Sequence, residues 1–163
     1  MGELTDELRG FLAERRYAVL ATHDADGRIH STPIWFLFDD DHFLFESFSG
    51  SRKVKNLRRD ASASVVVDVR EPGTERWVSA SGMVEILDGD EARAINARIR
   101  CRYLTPEALA DERIEPVFAM ADDITLRLTP DQWRAWDSRD LDTQFFGGIL
   151  GAEPERWFLP VAR

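Results

Sequence analysis

The feature that most constrains this chain is a change of hydrophobic period at Tyr17. Before it, Leu4, Leu8, Phe11, Leu12 and Arg15 fall three and four residues apart, with acids early and Arg15 and Arg16 late, which predicts a short amphipathic helix. From Tyr17 the pattern has period two. The runs Tyr17 to His23 and Arg28 to Phe38 flank Asp24-Ala25-Asp26-Gly27, a turn signal that predicts a hairpin. Asp39-Asp40-Asp41 then separates a third run, His42 to Phe48, and the three runs predict a meander.

Further along, Ser51 to Arg59 predicts one short helix with Ser51 as its N-cap and Val54 and Leu57 turned inward. Ala63, Val65, Val67 and Val69 alternate with other residues, and Val78, Ala80, Gly82, Val84 and Ile86 do the same after the turn Glu71-Pro72-Gly73. Asp90 to Tyr103 places Ala92, Ile95, Ile99 and Tyr103 on one helical stripe, and Thr105-Pro106-Glu107 opens another short helix. Ile124, Leu126 and Leu128 return to the sheet, with Gln132 to Trp136 extending it or pairing with it. The expected fold is mainly β with helices, six antiparallel strands in a barrel-like sheet. Ile34, Trp35, Phe36, Leu37 and Phe38 are apolar on both faces, which suits a strand that fills the barrel on one side and meets a second copy of the chain on the other. Residues 1–140 are expected to form the domain, and 141–163, with Phe145, Phe146, Trp157 and Phe158, to pack on it as a loop or short helix.

Composition narrows the function classes. A length of 163 residues with 44% hydrophobic and 31% charged suits a single soluble domain able to bury an ordinary core. Twenty-one Lys and Arg against thirty Asp and Glu give a net charge of −9, which repels nucleic acid and anionic lipid. With Cys101 the single cysteine, neither an intrachain disulfide nor a Cys-rich zinc site can form. The N-terminal segment has no signal-peptide pattern, and the expectation is a cytoplasmic protein without membrane or nucleic-acid partners. His23, His30 and His42 show no metal-ligand spacing, and nucleophile-elbow, dinucleotide and P-loop motifs are missing from the sequence. No metal is expected, and no residue is assigned as catalytic.

One segment asks for an anion. Between Arg52 and Arg59 five of eight residues are basic: Arg52, Lys53, Lys55, Arg58 and Arg59. The run follows Ser47-Phe48-Ser49-Gly50-Ser51, so hydroxyls, a flexible glycine backbone, helix N-terminal amides and the first two cations can converge on one phosphate. The upstream run His30 to Phe36 adds an apolar surface for a flat ring, with Pro33 unable to donate to a sheet. A phosphate carrying a planar heterocycle fits the pair.

These blocks also carry a family resemblance. Val19-Leu20-Ala21-Thr22, Ala25-Asp26-Gly27-Arg28 and Ser31-Thr32-Pro33-Ile34-Trp35-Phe36, followed by Ser51-Arg52-Lys53 and Asn56-Leu57, resemble the split β-barrel flavin and deazaflavin reductases related to pyridoxamine 5'-phosphate oxidase. Trp77-Val78, Gly82, Glu85-Ile86 and the stretch from Ile124 through Pro130 to Trp136 look like the same family, so the likeness spans Leu8 to Asp137. It implies a dimeric, FMN-binding type of split barrel. Ser51, Arg52 and Lys53 match the phosphate-binding triplet, Asn56 a nearby helper, Glu46 and Ser47 the strand end that approaches the cofactor, and Ser31, Thr32, Pro33 and Ile34 the strand bordering its rings. Trp77 of a partner chain is expected to complete the cleft between subunits.

The C-terminal strand reads Trp133-Arg134-Ala135-Trp136-Asp137-Ser138-Arg139, without the Arg-Leu-His-x-Arg type segment that grips pyridoxamine phosphate, so that oxidation is not expected. The Ser-Thr-Pro-Ile-Trp-Phe wording is closer to users of deazaflavin F420, with FMN second. The resemblance therefore implies a homodimeric oxidoreductase that uses F420 or FMN to pass hydride to a small conjugated substrate. Alternatives are a non-catalytic carrier or sensor using the same cleft, and a structural dimer whose basic helix is merely solvated.

Overall fold

The computed structural model describes residues 3–120 and 124–161, and the period-two runs form one antiparallel sheet. Its strands are β1 (Ala18–His23), β2 (Ile29–Ile34), β3 (Leu37–Asp39), β4 (His42–Ser47), β5 (Ser62–Val69), β6 (Arg76–Leu87) and β7 (Ile124–Asp137), in the order β2-β1-β5-β6-β7-β4-β3. The edge strands β2 and β3 are joined by only Trp35 and Phe36, a reach of roughly 11 Å. Both edges must meet at one seam, so the sheet is curled into a split barrel.

Seven strands replace the expected six because the run Arg28 to Phe38 breaks at Trp35-Phe36. Phe36 turns inward to full burial, and its amide donates to the Tyr103 hydroxyl at 3.1 Å instead of to a neighbouring strand. Gln132 to Trp136 continues the late strand rather than forming another, and β7 pairs with β6 along its whole length with a bulge at Ser81/Gly82. Gly82 is required there: a Cβ would stand 2.0 Å from the Thr129 carbonyl oxygen.

Alternation decides what each face does. Leu20, Phe43, Phe45, Val65, Val67, Val78, Leu126 and Leu128 fill the interior, each contributing about 1.5–3 kcal/mol by leaving water. Helix α1 (Asp6–Ala13), capped by Thr5 accepting from Leu8 N, adds Phe11 and Leu12 to that core. Helix α2 (Arg52–Arg59) contributes Val54 and Leu57. On the outside, α3 (Gly89–Tyr103) covers β4 and β7 through Leu44, Leu87, Ala92, Ile95 and Ile99. Short helices α4 (Pro106–Leu109) and α5 (Glu115–Met120) follow it. The outer face of β1, β5 and β6 carries Val19, Ala21, Ser64, Val66, Ser79 and Ser81, half exposed, bordered by exposed Ile29, Met83 and Trp136.

After β7 the chain forms α6 (Ser138–Phe146), α7 (Ile149–Ala152) and α8 (Pro154–Trp157), where a loop or one short helix was expected; residues 162 and 163 of that expectation lie outside the described residues. The buried Asp142 carboxylate gathers these turns, accepting from Leu150 N at 3.1 Å and Gly151 N at 2.8 Å. The turn between β5 and β6 meets them at Gly73, where a Cβ would stand 3.1 Å from the Leu150 carbonyl. Among the described residues no helix is long and apolar enough to cross a membrane.

Candidate functional site

The junction between β4 and α2 is organised by two serines. Ser51 has extended backbone (φ −67°, ψ 151°), and its hydroxyl accepts from Val54 N at 3.3 Å, capping α2. Ser47, at the end of β4, hydrogen-bonds the same hydroxyl at 3.0 Å, and both serines are buried. The first amides of α2 have no intrahelical partner, and its first turn contains no acid, so this end of the helix is electropositive.

The two cations of that turn are held differently. Arg52 Nε donates to Asp24 Oδ1 at 2.8 Å and Nη2 donates to Asp24 Oδ2, a two-pronged pair on a carboxylate that is itself buried. Asn56 Nδ2 donates to Asp24 Oδ1 at 2.8 Å and to Thr22 Oγ1 at 3.1 Å. The Arg52 guanidinium first, and then the Asn56 amide, hold the Asp24 carboxyl below the usual carboxylate range. Lys53 is half buried with no ion-pair partner among the described residues, and that burial lowers its pKa from the ordinary lysine value. A desolvated ammonium without a counter-ion, beside free helix amides and a capping hydroxyl, is a donor set suited to a phosphate.

A groove of about 370 Å³ runs along the seam, lined by Tyr17, Pro33, Ile34, Trp35, Glu46 and Phe118. Trp35 stacks on Tyr103 with centroids 4.9 Å apart and planes 5° from parallel. The Tyr103 hydroxyl accepts from Phe36 N and donates to Arg16 O at 2.5 Å, which holds the Tyr103 ring of the stack in place. Glu46 is neutralised by Arg100, whose Nε donates to it at 2.8 Å and whose guanidinium lies 4.4 Å from the Phe118 ring centre. A flat ring fits these walls, and the groove offers it little net charge.

Of the sequence-assigned residues, Ser47, Ser51, Arg52 and Lys53 share the helix junction, while Pro33, Ile34 and Glu46 share the groove. Ser31 is exposed on edge strand β2 opposite Ala21, and Thr32, opposite Leu20, bonds His30 Nε2 at 3.0 Å. Asn56, assigned as a nearby helper, is buried one turn along α2 and donates to Asp24, which holds Arg52. Trp77 lies near the far end of β6, ten residues and roughly 33 Å of extended strand from Leu87, which pairs with Thr125 next to the partner of Ser47. The chain does not bring its own Trp77 to the junction. Sequence reasoning missed Asp24, which read as an ordinary turn residue, the groove walls Tyr17 and Phe118, and Arg100, the partner of Glu46.

Comparison with known proteins agrees with this architecture. A family model described as pyridoxamine 5'-phosphate oxidase matches residues 4–137. Over 125 residues, 73% of this chain and 90% of the relative, the chain is 29% identical to an F420H(2)-dependent biliverdin reductase of Mycobacterium tuberculosis. Among solved structures it is similar to the conserved hypothetical protein Rv2991 of Mycobacterium tuberculosis, with 30% identity, a TM-score of 0.71, and coverage of 86% of this chain and 88% of the other. A structure named F420 reductase shares the fold at 24% identity and a TM-score of 0.61, covering 82% of this chain and 98% of the other.

Proposed function

Starting from a chain that belongs to the pyridoxamine 5'-phosphate oxidase family, we propose that it is an F420-linked oxidoreductase acting on a small conjugated substrate, with FMN as the competing cofactor. The observation that carries the reading is Lys53, a half-buried cation with no counter-ion among the described residues, next to the Ser51-capped end of α2. The fold alone is compatible with carriers; the reductase reading is supported by the biliverdin reductase relative.

In this reading Ser51, Lys53 and the first α2 amides hold the cofactor's phosphate, with Arg52 at the rim. Pro33, Ile34 and Trp35 give the ring a wall, and the Glu46–Arg100 pair keeps that wall neutral. Bound F420 or FMN supplies the hydride chemistry, which is why the chain needs no nucleophile or metal of its own. Ordering the ring in the groove excludes water from one of its faces.

The protein acts as a homodimer in this reading. The half-apolar outer face of β1, β5 and β6, with Trp77 and Trp136 paired at its border, is the surface for a second copy, and the partner's Trp77 closes the cleft that its own strand leaves too far away. Titration with F420 and with FMN, followed by fluorescence, tests the proposal. Micromolar binding of F420, together with reduction of enone, quinone or tetrapyrrole acceptors by the loaded protein, is expected. Binding of neither cofactor would overturn the reading, and binding without turnover on any acceptor would make the protein a carrier.

A further inference from the structure

We propose that Asp24 sets the charge selectivity of the phosphate site, making it prefer a singly charged phosphodiester, as in F420, over a doubly charged phosphomonoester, as in FMN. The inference rests on the cofactor reading above and concerns a residue outside the assigned phosphate triplet. Asp24 engages Arg52 through two of its nitrogens and takes a third hydrogen bond from Asn56. Its backbone is fixed as well: Asp24 N donates to Arg28 O at 2.7 Å, and Gly27 N, with Gly27 at φ +81°, donates to Asp24 O at 3.0 Å. The carboxylate is thus held in place against Arg52, its side chain 8% exposed while that of Arg52 is 61% exposed.

The consequence is electrostatic. The guanidinium has five donors, of which Asp24 takes two, so the outward ones on Nη1 and Nη2 remain for a ligand. A phosphate that docks there shares its cation with a carboxylate a few ångströms behind it. Of the two cations in the first turn of α2, Lys53 is then the one without an ion-pair partner among the described residues to set against the ligand's charge. A monoanion is matched; the second charge of a monoester meets Asp24 through the guanidinium and is repelled. A second effect has the same source, since the two-pronged pair presents the remaining Arg52 donors in one orientation.

The test is the ratio of dissociation constants for F420 and FMN, because damage to the fold weakens both ligands and leaves the ratio in place. The wild-type chain is expected to bind F420 more tightly. Asp24→Asn is expected to shift the ratio toward FMN by about tenfold or more, and Arg52→Gln, which bares the carboxylate to the ligand, to shift it toward F420. The second variant carries the test if the first does not fold. A ratio unchanged in both variants, or one that moves the same way in both, overturns the inference while leaving the cofactor reading intact. A wild-type chain that binds neither cofactor overturns both.

Discussion

At the β4–α2 junction the side chains are fixed by charge: Arg52 and Asn56 converge on Asp24, and Ser47 and Ser51 tie the strand end to the helix cap. Along the seam they are fixed mainly by packing, with Trp35 stacked on Tyr103 and the Glu46 carboxylate paired with Arg100. The first region can anchor an anion but is blind to whatever the anion carries. The second can read a flat shape but has little to say about charge. A ligand that needs both must hold a phosphate and a planar ring at a set separation, and this division of labour is the basis on which a phosphorylated ring cofactor is proposed.

Variants that damage one region alone can break the comparison. The largest effect is expected from Arg52→Ala combined with Lys53→Ala: loss of two charge-assisted anchors weakens F420 binding by at least about 100-fold, as fluorescence titration would read. Next comes Trp35→Ala, which should weaken the cofactor by roughly tenfold while leaving inorganic phosphate affinity unchanged, since it removes ring stacking and no anion contact. If phosphate affinity falls equally, the two regions are not separable.

Smaller effects sharpen the picture through stability. Ser51→Ala removes the α2 cap and should cost about 1 kcal/mol in denaturant unfolding. Lys53→Met should melt slightly higher than the wild type without ligand, by roughly 1–3 °C at neutral pH, because it removes a burial penalty. The sign follows from the lowered pKa: folded Lys53 holds its proton less tightly than the unfolded chain does, so wild-type stability rises as pH climbs through the window between its lowered value and the ordinary 10.5. The advantage of Lys53→Met should therefore shrink across that window, and a gap independent of pH would mean that Lys53 is not desolvated.

Much of this frame was readable in the chain itself. The cap at Ser51 and the helix it starts follow from local residue chemistry, and the strands follow from alternation, so both appear where the pattern put them. What escaped depends on partners far along the chain. Arg52 meets Asp24 across 28 positions, and an aspartate in an Asp-Ala-Asp-Gly turn looks the same whether or not it faces an arginine. The break at Trp35-Phe36 depends on Tyr103, 67 positions away, and Glu46 finds Arg100 across 54, on a helix whose pattern announced only its apolar stripe. Periodicity reports which way a residue faces; it does not report whom it meets.

The most direct measurement is a crystal structure of the protein loaded with F420. The phosphate should lie within hydrogen-bond distance of Ser51 Oγ and Lys53 Nζ, with the ring against Pro33, Ile34 and Trp35. A phosphate bound elsewhere, with Lys53 extended into solvent, would contradict the account.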